Sequence, residues 1–192
     1  MHSFVSILVA MSPLTIAFPY DVSPRDTNGC TTTSSGDFSW TIEAFDFHSS
    51  DIFTTPAHEV AYGYVNFNLT NPALPERVLC TAYSSALTSF FYGGIDYTCA
   101  APAGSKTKTS FTFSRITNGL SINQTWTCSD GNPQQPSTFI GYGTVNLTLN
   151  CQTSYYRNPN YTSPDNGFYS TSDTTCAPVT LPLTPRDKTV AT

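Results

Sequence analysis

The residues of this chain best suited to chemistry are its cysteines, which form disulfides in an oxidising compartment or bind metals as thiolates. The 192-residue sequence contains six, and all follow an apolar leader: Cys30, Cys80, Cys99, Cys128, Cys151 and Cys176. None form a Cys-x-x-Cys motif, and the histidines that follow the leader are His48 and His58. We therefore expect no metal site, and the even number of cysteines favours disulfides.

Six cysteines can pair in about 15 ways. Alternating apolar positions place Cys128 and Cys151 on the inner faces of two strands, which favours a disulfide between them. Local order favours a second disulfide between Cys80 and Cys99. The two remaining cysteines, one towards each end of the chain, are expected either to pair or to leave Cys30 free to link two chains.

Carboxylates offer a second chemistry, since hydrolysis of a glycosidic bond uses two of them, about 5–10 Å apart. Glu43 and Asp46 lie three residues apart on a predicted strand, so we expect their side chains to point to opposite faces. Three other acids lie in predicted turns: Asp37, Asp96 and Asp130. The sequence also has no Gly-x-Ser-x-Gly motif. We expect no catalytic residues and no cofactor.

The elements that would hold these residues are recognised by a period of two in apolar residues. Leu120–Cys128 and the segment 144–151 both alternate in this way, and a Pro-rich loop joins them. Shorter segments predict strands near 38–47, 61–70, 77–83 and 111–113, with a turn at 48–51. The alternation changes parity at Phe45, which indicates either a bulge or a strand with two covered faces. No segment after the leader has a helical period. The prediction is an all-β fold, a compact antiparallel β-barrel or sandwich.

The chain divides into four predicted segments. Residues 1–17 hold a short apolar run that ends at a small residue, which is typical of a secretory signal peptide. Residues 18–36 form an extended N-terminal arm, and residues 37–153 form the disulfide-stapled β-domain. Residues 154–192 are rich in Tyr and Pro, so we expect an extended C-terminal tail that supplies little of the core.

Asn-X-Thr sequons indicate a secreted glycoprotein. Asn68, Asn123 and Asn146 occupy outward positions of predicted strands, and Asn160 lies in the tail. If the first three carry glycans, they crowd the outer side of the sheet. A partner would then be recognised by the loop 90–97 or by the tail. The aromatic residues available there are Phe91, Tyr92, Tyr155, Tyr156 and Tyr161.

The charge composition excludes some classes of partner. Only 11% of the residues are charged, the net charge is −5, and the sequence contains no basic cluster. Binding to nucleic acid or to an anionic membrane needs a concentration of Lys and Arg, so we expect neither. No second apolar run has the length of a membrane span, and we therefore expect no membrane anchor. The expected location is extracellular.

Several short motifs in a fixed order resemble those of one known family. They are Gly36–Phe45, Val65–Leu69, Cys80–Ala82, Tyr97–Cys99, Phe111–Phe113 and Gly119–Gln124. Through them, residues 30–151 resemble the Alternaria-allergen-like family of fungal secreted proteins. The resemblance implies a β-barrel or sandwich, secretion by a filamentous fungus, and a role as allergen, effector or elicitor at plant surfaces. It also implies that Cys30 can bridge two subunits of a homodimer.

Two functional hypotheses of different classes agree with these observations. The first is a secreted, non-enzymatic effector, elicitor or allergen-like protein that binds a host protein or a plant surface component. The second is an extracellular module that binds cell-wall carbohydrate through exposed rings such as Tyr155, Tyr156 and Tyr161.

Overall fold

The computed structural model describes residues 29–162 and 167–191. The predicted signal peptide and most of the predicted N-terminal arm lie outside these residues. Within them, no helix is long and apolar enough to cross a bilayer. The described elements are α1 (Cys30–Ser35), β1 (Trp40–Thr55), β2 (His58–Thr70), β3 (Arg77–Ser84), β4 (Tyr97–Thr98), β5 (Lys108–Ser114), β6 (Gly119–Cys128), β7 (Ser137–Asn146), β8 (Cys151–Arg157), β9 (Ser170–Cys176), β10 (Val179–Leu183) and β11 (Asp187–Ala191).

Two antiparallel sheets pack against each other as a sandwich. The first sheet has the strand order β3-β2-β1-β9-β8, and β10 also pairs with β1. The second sheet has the order β11-β7-β6-β5-β4. The sheets do not close on each other, so of the two predicted architectures the structure has the sandwich.

The longest strand, β1, is interrupted by the predicted bulge. Its register with β2 shifts between Glu43 and Asp46, and Ala44 between them has a φ of 51°. The bulge lets one edge of β1 pair first with β10 and then with β9. The turn predicted at 48–51 is wrong, because the strand continues through these polar residues to Thr55. β2 and β9 flank them on both sides, and two full ladders outweigh their weak strand preference.

The core fills the space between the inner faces of the two sheets. The ring of Phe45 lies 5.7 Å from that of Phe67, which belongs to the same sheet, measured between centroids. It lies 5.1 Å from the ring of Phe113, which belongs to the second sheet. The Trp40 ring packs directly against the backbone of Gly141. Any residue with a Cβ at position 141 would place that atom only 2.7 Å from the Trp40 ring. The alternation of residues 61–70 predicts that Phe67 points inward, and the structure agrees, since this side chain is buried.

The N-terminal arm differs from expectation because it contains α1. The Ser34 hydroxyl on this helix accepts a hydrogen bond from the Trp126 indole at 2.8 Å, and both side chains are buried. Thr31 donates hydrogen bonds to the Asp130 carboxylate from both its backbone N–H and its hydroxyl. These contacts reach residues that the sequence places far away, which explains why no local period predicts the helix.

The contact between α1 and Asp130 leads to a prediction about acid stability. Hydrogen bonds from Thr31 hold the pKa of Asp130 below its usual value. A carboxyl group with a lowered folded pKa stabilises the fold above its unfolded pKa of about 3.9, and this contribution is lost as the pH falls through the folded value. In the parent protein, protonation of Asp130 should contribute to the fall in melting temperature below about pH 4. Because an asparagine has no carboxyl group to protonate, we expect a smaller fall in the Asp130→Asn variant. Thermal melts across this range, with Asp96→Asn as an exposed control, test it, and an unchanged acid profile would contradict it.

The C-terminal segment also differs from expectation, since its strands complete both sheets. β9 and β10 pair with β1, and β11 pairs with β7. Ser170, Cys176 and Leu183 are buried. The expectation that this tail supplies little core is therefore corrected. Strands with one solvent face need no continuous apolar run, so a segment rich in Thr and Ser can form them.

The disulfides follow only one of the predicted pairings. Cys80 pairs with Cys99, as expected. The predicted bond between Cys128 and Cys151 is wrong, because Cys128 pairs with Cys30 and Cys151 pairs with Cys176. The expected alternatives for Cys30, a bond to Cys176 or a free thiol that links two chains, are corrected by the same observation. The reason is that β7 ends at Asn146 and the chain then crosses to the first sheet, where Cys151 begins β8.

Candidate functional site

Two of the predicted binding residues lie in the loop between β3 and β4. Phe91 is 1% exposed and packs edge-on against Phe47, so its assignment as a binding residue is wrong. Tyr92 is exposed, but Arg115 donates a hydrogen bond to its hydroxyl at 3.3 Å. The same guanidinium lies 4.6 Å from the centroid of the Phe90 ring. This group of side chains holds the loop against the sandwich.

The other predicted binding residues lie on and after β8. Tyr155 and Tyr156 are exposed neighbours on one strand, so their side chains point to opposite faces. Tyr161 is half-buried and packs edge-on against Tyr169, with 5.4 Å between ring centroids. These residues and Tyr92 are therefore spread over three segments, and the structure does not gather them into one site.

A compact group of exposed rings lies instead on the outer side of the first sheet. Tyr64 of β2 is paired in register with His48 of β1 on one side and with Tyr83 of β3 on the other. Tyr62 lies two residues before Tyr64, on the same face. We call these four residues, His48, Tyr62, Tyr64 and Tyr83, the tyrosine face. Three neighbouring strands thus place four rings side by side towards solvent.

The rings of the tyrosine face support one another. His48 stacks on Tyr64 with 4.8 Å between ring centroids and an interplanar angle of 16°. Tyr62 and Tyr83 lie 6.5 Å apart and are tilted by 33°. Tyr62 is 43% exposed and Tyr83 is 63% exposed, so each has a ring surface available for contact. Aromatic rings held in this way lose little freedom on binding, which favours their use in recognition.

Two shallow grooves adjoin the tyrosine face and meet at His48 and Thr175. The first, of about 290 Å³, lies over the tyrosines and is bordered by Asp173. The second, of about 440 Å³, is lined by His48 and by Asp46, Asn150 and Gln152. The charged carboxylates of the grooves are Asp46 and Asp173, and no lysine or arginine of the described residues lines either groove.

The electrostatics of the site centre on Asp46. Its Oδ1 lies 2.8 Å from Nε2 of His48, which orients the imidazole against Tyr64. Burial, and then the charge of Asp46, raise the pKa of the Tyr64 hydroxyl above its usual value. Both effects favour the neutral hydroxyl, which is the form that donates a hydrogen bond.

The carboxylates considered for glycoside hydrolysis lie differently from expectation. Glu43 is opposite Asn68 and Asp46 is opposite Asn66, so the bulge brings both acids to the outer face of the sheet. The expectation of opposite faces is therefore wrong. Glu43 accepts a hydrogen bond from the Thr70 hydroxyl at 2.8 Å and lies near Arg77, whereas Asp46 contacts His48. Each acid has its own partner.

One group of side chains has the composition of a metal site. Ligand atoms of Cys30, Cys128 and Asp130 lie within 4.8 Å of one another. The two sulfur atoms are bonded to each other, so neither is a thiolate, the form in which cysteine binds metals. This geometry belongs to the attachment of α1 and does not support a metal centre.

The sequons lie on both sheets, so the expectation that three glycans crowd one sheet is corrected. Asn123 and Asn146 are exposed on the outer face of the second sheet, and Asn160 is exposed in the loop after β8. Asn68 lies on the first sheet, four residues from Tyr64 and thus about 13 Å away along the strand. Of the three sequons on predicted strands, Asn68 is therefore the one that shares a sheet with the tyrosine face.

The signal for the tyrosine face was present in the sequence. With Val65, Phe67 and Leu69 pointing inward, Tyr62 and Tyr64 must point outward, and an adjacent strand carries Tyr83. The site was not predicted because residues 48–51 were assigned to a turn, so that His48 was not placed in the sheet beside Tyr64.

Comparison with known proteins gives one match. A family model described as Alternaria alternata allergen 1 matches residues 42–176 of the chain. The matched region begins in β1 and ends with the last residue of β9, so it includes every strand that lines the tyrosine face and its grooves. Searches of curated proteins and of solved structures found no match.

Proposed function

Because the chain belongs to the Alternaria alternata allergen 1 family, we propose that it is a secreted, non-enzymatic effector or elicitor that binds a component of a host or plant surface. The observation that supports this proposal best is the tyrosine face, a group of preoriented rings on the outer side of a rigid sheet. Rings with one apolar surface and a polar edge are enriched where proteins recognise partners.

The disulfides support an extracellular role. Three of them join distant parts of the described chain. Such bonds form and persist outside the reducing interior of the cell. The predicted leader, which lies outside the described residues, provides independent sequence support for secretion.

Binding of cell-wall carbohydrate is the second candidate function. The specific observation in its favour is the polar border of the rings, where Asp46, Asn150, Gln152 and Asp173 line the grooves. Binding sites for polar ligands combine apolar surfaces with a few hydrogen-bonding groups at their edges. In this version of the function, the exposed rings are those of the tyrosine face rather than Tyr155, Tyr156 and Tyr161.

Infiltration of the purified protein into leaf tissue tests the proposed function. We expect the parent protein to cause local cell death or a defence response, and a Tyr62→Ala/Tyr83→Ala variant to need at least about tenfold more protein for the same response, as for loss of an aromatic hot spot. Tyr142→Ala is the matched control, because Tyr142 is also 43% exposed but lies on the second sheet. Equal responses from all three proteins would contradict the assignment of the tyrosine face.

A further inference from the structure

The tyrosine face and its grooves also indicate the chemical class of the ligand. Resting on the second candidate function, binding of cell-wall carbohydrate, and narrowing it, we propose that this surface binds a polysaccharide of amino sugars that carry free ammonium groups. Three features support the proposal: the row of rings, the carboxylates of Asp46 and Asp173 in the grooves, and the absence of lysine and arginine among the described lining residues.

The row of rings suits an extended chain of sugars. Tyr83, Tyr64 and His48 lie in register on three adjacent strands, so the row spans about 10 Å across the sheet. Sugar rings present apolar C–H groups on their faces, and these pack against aromatic rings, while their hydroxyl groups remain at the edge. Tyr62 and Tyr64 line the first groove, and Asn150 and Gln152 line the second, so both grooves contain side chains that can form hydrogen bonds with those hydroxyl groups.

The charges of the grooves select among polysaccharides. Asp173 is exposed beside the tyrosines, and Asp46 lies in the adjoining groove. A neutral or acetylated sugar would cover these carboxylates without compensating their lost hydration, and an acidic sugar would repel them. An ammonium group offers three donors and a positive charge, and it is also attracted to the face of a tyrosine ring.

Two arginines belong to the strands of this sheet, and both contact residues other than Asp46 and Asp173. Arg77 lies 3.5 Å from Glu43, on the far side of the bulge from Asp46. Arg157 lies over the Tyr169 ring, 4.9 Å from its centroid. Neither arginine contacts Asp173 or Asp46. Asp46 has His48 as its partner, whereas Asp173 accepts a hydrogen bond from the neutral Thr171 hydroxyl at 3.2 Å, so Asp173 offers the stronger attraction for a cationic ligand.

Calorimetric titration of the whole protein with two hexasaccharides tests the proposal. One ligand is the fully deacetylated glucosamine hexamer, and the other is the fully N-acetylated hexamer. We expect saturable binding of the deacetylated form, at least about tenfold tighter than binding of the acetylated form. Asp173→Asn should weaken binding of the deacetylated hexamer, and it should not weaken binding of the acetylated one, because the cost of dehydrating the carboxylate is removed.

Ring variants separate a specific site from general attraction to an acidic protein. Tyr62→Ala and Tyr83→Ala should each weaken binding of the deacetylated hexamer by about tenfold, whereas Tyr142→Ala should have no effect. Equal affinity for the two hexamers would overturn the proposal. Binding that salt abolishes and that none of the tyrosine variants changes would overturn it as well.

The two proposals fail in different ways. If the hexamer does not bind but the leaf response still requires Tyr62 and Tyr83, the ligand class is wrong and the proposed function stands. If the hexamer binds through the tyrosines but all variants cause the same leaf response, the ligand class is right and the elicitor function is wrong.

Discussion

Removal of the disulfide between Cys30 and Cys128, in a C30S/C128S variant, is expected to lower the free energy of unfolding by about 4–5 kcal/mol. The two cysteines are 98 residues apart, so their bond closes the longest loop of the three disulfides. In the chain-entropy model, a longer loop restricts the unfolded chain more strongly. Equilibrium unfolding in denaturant measures the effect.

Two comparisons make this prediction specific. A C80S/C99S variant opens a bond with a separation of only 19 residues and should cost less, about 3 kcal/mol. A C128S/C151S variant should break two disulfides and release two thiols in a thiol titration of the denatured protein. If that variant released no thiol, the pairing in the structure would be contradicted, because Cys30 and Cys176 would then not be partners of Cys128 and Cys151.

Replacement of Trp126 by alanine is expected to cost about 3–5 kcal/mol of unfolding free energy. The Trp126 ring is fully buried and stacks on Phe139, with 5.7 Å between ring centroids. It also packs edge-on against Phe38 and Trp40, and its indole N–H donates to Ser34. The substitution would leave a cavity where both sheets and α1 meet. Denaturant unfolding again provides the measurement.

Trp126→Phe divides this cost into two parts. It keeps most of the ring packing but leaves the buried Ser34 hydroxyl without its donor, so we expect a smaller cost of about 1–3 kcal/mol. Tyr142→Ala, on the outer face of the second sheet, should stay within about 0.5 kcal/mol of the parent. A Trp126→Ala variant as stable as the Tyr142 variant would show that this part of the core is not packed as described.

The parts of the fold that could be predicted from sequence are those with a local pattern. β6 alternates regularly, and its predicted and observed ranges agree to within one residue. The change of parity at Phe45 is also a local pattern, and it indicated the bulge that the register with β2 shows between Glu43 and Asp46. The parts that failed depend on partners elsewhere in the chain, as with the strand through 48–51, which is held between β2 and β9.

Gln124 shows the same limit inside the core. It occupies an inward position of β6 and is completely buried. Its carbonyl accepts a hydrogen bond from the Asn71 amide at 2.9 Å, and its own amide donates to the Thr109 hydroxyl at 3.1 Å. A buried amide is tolerated only with such partners. Since they come from distant segments, no property of the residues next to Gln124 predicts that it can be buried.

The tyrosine face combines both situations. Its three tyrosines follow from local alternation, but their union into one surface requires the strand order β3-β2-β1, and the acidic border requires β9. The binding residues predicted from composition alone were selected in loops and in the tail. That choice missed the tyrosine face, because a high content of tyrosine gives no information on which rings share a face.

The pairing of β1 with the C-terminal strands has a consequence for biosynthesis. β1 and β2 emerge from the ribosome well before β9 and β10, which cover the other edge of β1. Until then that edge exposes unpaired backbone groups, and such edges invite association with other chains. The bond between Cys80 and Cys99 can form during synthesis, whereas the bond between Cys151 and Cys176 must wait until β9 has emerged. A chain in which β9 and β10 have not yet formed is therefore expected to need protection of this edge, and the bond between Cys151 and Cys176 reports that β9 is in place.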